Sequence, residues 1–123
     1  MKRYLICLIA IFIVNTAFTQ EKKKITISEI NYIEIHKNES GQRNPTHKLT
    51  SEQLKDFVNK WNDSKGTGIC KYWSNFNITV YSKNNLIPRK FRTNNNSINE
   101  NNDYCFDVGT EKYFEKIWEQ LNN

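Results

Sequence analysis

Apolar residues fall along this chain with two different periods. In "FNITVYS", residues 76–82, Phe76, Ile78 and Val80 alternate with Asn77, Thr79 and Tyr81, the pattern of a strand with one buried face. In "KLTSEQLKDFVNKW", residues 48–61, Leu54, Phe57, Val58 and Trp61 recur at helical spacing opposite Lys55, Asp56, Asn59 and Lys60. Thr50 can cap this helix. Gln53, three residues on, would complete a capping box, and Leu49 can pack on Leu54 as a hydrophobic staple. "NDSKGTG" ends the helix, with Gly66 as the expected break. A second helix is expected at the C-terminus, capped by Thr110 with Glu111 in its first turn. Its apolar stripe would be Tyr113, Phe114, Ile117, Trp118 and Leu121.

The remaining segments are shorter. "KKKITISEINYIEIHK" reads as a strand whose apolar phase changes between Ile27 and Ile33, which calls for a bulge near Ser28 and Glu29. "NESGQRNPTH" is a polar loop. After "FNITVYS", Lys83, Asn84 and Asn85 form a turn, and "LIPRKFRT" returns as a partner strand with Ile87 and Phe91 in phase; Pro88 places it at an edge or beside a bulge. "NNNSINENND" is a second polar turn region, and "YCFDV" is a third short strand. The expected order is strand, helix, three-strand meander, helix. This is an α+β fold, a two-layer sandwich of a small, mainly antiparallel sheet with two amphipathic helices on one face.

Ahead of these elements stand a basic start, Met1 to Arg3, the apolar run "YLICLIAIFIV" and the small-residue stretch "NTAFTQ". The run is shorter than the roughly 20 residues of a spanning helix and has the form of a secretory signal peptide over residues 1–19. Ala17 and Thr19 place the cut between Thr19 and Gln20, leaving residues 20–123 as a single exported domain with no stable transmembrane segment. The short, simple leader suggests a bacterial host, and so a periplasmic or secreted protein. Loss of Lys2 and Arg3 lowers the formal charge from +5 to about +3. The leader also carries away Cys7, so Cys70 and Cys105 remain to form one disulfide in an oxidising compartment.

Mild basicity invites a test for nucleic-acid binding. Helix, three strands, helix is the order of a double-stranded-RNA-binding domain, but such a domain needs a lysine-rich start to its last helix. Here Glu111 and Glu115 stand among Lys112 and Lys116, and with export this excludes nucleic acid as a partner. In "PRKFR", Lys90 and Arg92 project from one strand face, while Arg89 takes the phase of Ile87 and Phe91. The cluster is either an anion-facing patch or positive charge guarding an edge strand. Tyr72 and Trp73, beside Cys70, are either a stacking platform or aromatic cover for the disulfide, whereas Trp61 and Trp118 belong to helical stripes.

His36 and His47 flank the polar loop that holds Glu39, in no recognised metal-ligand spacing, and read as solvated histidines. There is no Gly-x-Ser-x-Gly and no phosphate-cradling glycine loop, and Asp103 and Asp107 show no sign of paired acid and base work. The composition therefore points to a disulfide-stapled binding or interaction protein of the bacterial envelope, inhibitor-like, needing neither cofactor nor metal. Its partner would be a protein or an envelope glycan, met on a surface of Tyr72, Trp73, Arg89, Lys90 and Arg92. The alternatives are a small secreted hydrolase using His36 or His47 as base, and a structural envelope component. A histidine within hydrogen-bond reach of a Ser, Thr or carboxylate in a concave pocket would mark the hydrolase.

Overall fold

A computed structural model describes residues 22–38, 45–71, 74–101 and 103–122. The fold is α+β, with a seven-stranded antiparallel sheet and two helices. The strands are β1 (Ile30–Lys37), β2 (Thr46–Lys48), β3 (Lys65–Ile69), β4 (Phe76–Ser82), β5 (Arg89–Asn94), β6 (Ser97–Glu100) and β7 (Tyr104–Asp107). The helices are α1 (Ser51–Asp63) and α2 (Tyr113–Leu121). Across the sheet the order is β2-β1-β4-β5-β6-β7-β3. The proposed leader, Glu39, Tyr72 and Trp73 lie outside the described residues.

Three strands correct the sequence reading. β2 forms where a polar loop was expected, β3 where the helix was expected to break, and β6 inside the polar turn region, so the meander has four strands, β4 to β7. None of "THK", "KGTGI" and "SINE" shows a run of alternating apolar residues; neighbouring strands recruit them by backbone pairing. The phase break expected near Ser28 and Glu29 is a 3-10 turn over Ile27–Glu29, followed by a register shift between Ile30 and Tyr32. β5 starts only at Arg89, so Leu86 and Ile87 belong to the preceding loop and are exposed.

The Thr50 capping box is present: Gln53 N–H donates to Thr50 Oγ1 at 3.2 Å, and Thr50 N–H donates to Gln53 Oε1 at 2.9 Å. Gly66 does not end α1, which stops at Asp63. Lys22 takes over, donating from Nζ to the carbonyls of Trp61 (2.8 Å) and Ser64 (2.6 Å), a cation on the negative end of the helix. Gly66 instead lies in β3 under the Tyr104 ring, where a Cβ would stand 2.6 Å from Tyr104 Oη. Thr110 does not cap α2 either. The residue before that helix is Lys112, in the left-handed region at φ 56°, and its N–H donates to Asn95 Oδ1 at 2.6 Å, so the β5–β6 turn supplies the acceptor.

Register sorts the strand residues onto two faces, because directly paired residues project the same way. One face carries Ile33, Ile35, Phe76, Ile78, Val80, Phe91, Ile98 and Phe106, all in the buried core. Phe57 and Trp61 of α1 meet Phe91 at 6.0 and 4.9 Å between ring centroids, Trp61 meets Phe106 at 5.2 Å, and Trp118 of α2 meets Phe76 at 5.8 Å. Across the helices, Tyr113 Oη donates to Asp56 Oδ2 at 2.6 Å and Gln53 Nε2 to Gln120 Oε1 at 3.0 Å. Asn62 closes two hydrogen bonds with the backbone of Ile25, at 2.8 and 2.9 Å, and fixes the segment that leads into β1. Cys70 and Cys105 form the disulfide, with Cα atoms 5.8 Å apart, fastening the end of edge strand β3 to β7.

Candidate functional site

The polar halves of the same strands assemble the other face. Glu34 pairs with Thr79 and Thr79 with Lys90, making one row across β1, β4 and β5. His36, Asn77, Arg92 and Asn99 make the next row, and Thr46 and Lys48 of β2 stand opposite His36 and Glu34. A cavity of about 720 Å³ lies over these rows, bordered also by Asn101 and Asp103. Lys90 and Arg92 are exposed here, with Arg92 donating to Asn99 Oδ1 at 3.3 Å and standing 3.7 Å from Asp103. At the end of the face the rings of Tyr32 and Tyr81 stack at 4.5 Å, and Lys48 Nζ stands 4.4 Å from the Tyr32 centroid. Burial, and then the charge of Glu34, holds the Tyr81 phenol above its ordinary value; its hydroxyl reaches Glu34 Oε2 at 3.5 Å.

The residues singled out from sequence are divided by this geometry. Lys90 and Arg92 share the polar face. Arg89 lies on the opposite face, paired with Val80, its guanidinium 5.3 Å from the Phe91 ring. There it donates twice to Glu100, both at 2.7 Å, and to the carbonyls of Lys23 (2.7 Å) and Lys24 (3.0 Å). With side-chain exposures of 16% and 12%, Arg89 and Glu100 form a largely buried fork that holds the N-terminal segment against the sheet.

The two histidines also part. His47 belongs to β2, not to a loop, and its ring meets Trp118 edge-on at 4.9 Å. His36 faces the polar cavity, with Nδ1 and Thr46 Oγ1 2.8 Å apart. Among the described residues, no three His, Cys, Asp or Glu side chains gather as a metal-ligand set. Sequence reasoning missed Glu34, Thr46, Asn77, Thr79 and Asn99 as parts of one surface. For Glu34, Asn77 and Thr79 the signal was the polar phase of alternating strands, whereas Thr46 and Asn99 lie in strands without alternation and join the surface only through cross-strand register. Among the described residues, no helix is long and apolar enough to cross a membrane. Comparison of the chain with protein-family models, with characterised proteins and with solved structures finds no match.

Proposed function

We propose that this protein is a small exported binding module of the bacterial envelope, inhibitor-like in its construction, which meets its partner on the polar face of the sheet. The observation that carries this reading is the 720 Å³ cavity spread over β1, β4 and β5, where Glu34, His36, Asn77, Thr79, Lys90 and Arg92 converge. Phe57, Trp61 and Trp118 all meet rings of the apolar row, which supports a two-layer arrangement with both helices on one face and the polar face left to a partner. Amide, hydroxyl and cationic donors next to stacked tyrosines suit an acidic envelope glycan or an acidic protein segment. Arg89 supports that surface from behind rather than joining it. Export rests on the leader-like residues 1–19, with cleavage between Thr19 and Gln20.

The test uses acidic glycan fragments solubilised from the host envelope and immobilised, with the exported chain passed over them. Retention that falls at least about tenfold in Lys90→Glu/Arg92→Glu supports the reading. Equal retention of variant and wild type, or none by either, overturns the glycan assignment. A second reading has one specific observation in its favour: the 2.8 Å contact of His36 with Thr46 inside the cavity is the mark of a base beside a hydroxyl. In that case, hydrolysis of the same fragments by the wild type would vanish in His36→Ala and in Thr46→Ala while binding persisted.

A further inference from the structure

The loop between β4 and β5, residues 83–88, carries Leu86 and Ile87 at 101% and 76% exposure, two adjacent aliphatic side chains standing in water. Scattered surface apolar residues need no explanation, but this pair sits on a held loop. At its start Lys83 N–H donates to the carbonyl of Glu29 at 2.8 Å, Asn85 Oδ1 accepts from Ile87 N–H at 3.1 Å, and Pro88 fixes the exit into β5. The apex is therefore presented by its own hydrogen bonds.

Cations surround it. A cleft of about 270 Å³ separates the loop from the N-terminal segment and is lined by Lys23, Lys24, Asn84, Asn85 and Arg89. Lys23, Lys24 and Lys83 are exposed. Of the carboxylates nearby, Glu100 is already neutralised by Arg89, which leaves Glu29 against three lysines. An aliphatic tip inside a cationic collar is complementary to a bilayer with anionic headgroups: the tip enters the acyl boundary while the lysines meet phosphates at its surface.

We propose that the 83–88 loop docks this protein on an anionic lipid surface, with Leu86 and Ile87 inserted and Lys23, Lys24 and Lys83 contacting headgroups. The site is separate from the polar cavity and stands whether or not that face binds a glycan. The test labels the exported chain, residues 20–123, carrying Leu86→Cys with an environment-sensitive dye, Cys70 and Cys105 staying joined. Its emission is recorded on phosphatidylglycerol vesicles and on phosphatidylcholine vesicles, with Glu119→Cys on α2 of the same exported chain as the reference position. A blue shift at position 86 alone, on phosphatidylglycerol alone, is the expected result. Lys24→Gln/Lys83→Gln in the labelled chain should then weaken vesicle binding by about 30-fold, roughly fivefold per lysine. A dye at position 86 that stays in water, an equal shift on both lipids, or no effect of the lysine changes overturns the proposal and turns attention to an apolar protein contact at the same tip.

Discussion

Tyr113 shows how one side chain ties stability to pH. Its hydroxyl donates to Asp56 across the two helices, and burial, then that hydrogen bond and the Asp56 charge, raise the phenol well above its ordinary value of 10.0. The folded chain therefore keeps this proton where the unfolded chain releases it. The contribution is complete below pH 10 and declines above it, by about 1.4 kcal/mol per pH unit while only the unfolded form ionises. Tyr113→Phe is expected to cost about 1 kcal/mol in denaturant unfolding at neutral pH. The gap between variant and wild type should then narrow above pH 10; a constant gap up to pH 11 would contradict the assignment. Arg89 makes a different case. Arg89→Ala strands the Glu100 carboxylate and two carbonyls, and a loss of about 2–3 kcal/mol is expected, with faster amide exchange at Lys23 and Lys24. A loss under about 0.5 kcal/mol would mean that the fork is an ordinary surface pair.

Among elements, α1 was the most legible because its cap and stripe both lie within one short stretch of sequence. Thr50→Ala is expected to lower stability by about 1 kcal/mol, since it removes the Oγ1 acceptor of the Gln53 N–H and leaves only the Gln53 side-chain half of the capping box. Unchanged unfolding would show the first turn to be held by packing alone. β4 was equally legible, with Phe76, Ile78 and Val80 buried in strict alternation. β3 was not. Lys65, Gly66, Thr67 and Gly68 carry no apolar phase, and their pairing depends on β7, distant in sequence. The end of α1 and the start of α2 were misread for the same reason. The groups that satisfy them, Lys22 for α1 and Asn95 for α2, come from other parts of the chain. The candidate site divides in the same way: the charges of Lys90 and Arg92 were visible in the strand alternation, while their company of Glu34, His36, Asn77 and Thr79 exists only through register.

For the whole molecule, the strand order sends α1 from β2 at one edge of the sheet to β3 at the other. The disulfide closes a loop between positions 35 residues apart, worth about 4 kcal/mol in the chain-entropy picture. Cys70→Ser is expected to lower stability by several kcal/mol and to expose Cys105 to thiol reagents; wild-type cysteines that react without reduction would refute the bond. Intact mass of the protein from its host, before and after reduction and alkylation, checks the bond together with the cut at Thr19–Gln20. The position of β3 also sets an order of events in time. Its partner strand β7 follows it in the chain, so as the polypeptide emerges β3 must wait while β4, β5, β6 and β7 are laid down beside β1. Joining Cys70 to Cys105 thus becomes a late event, and the appearance of that bond in the emerging chain would serve as a clock for the moment the last edge of the sheet is seated.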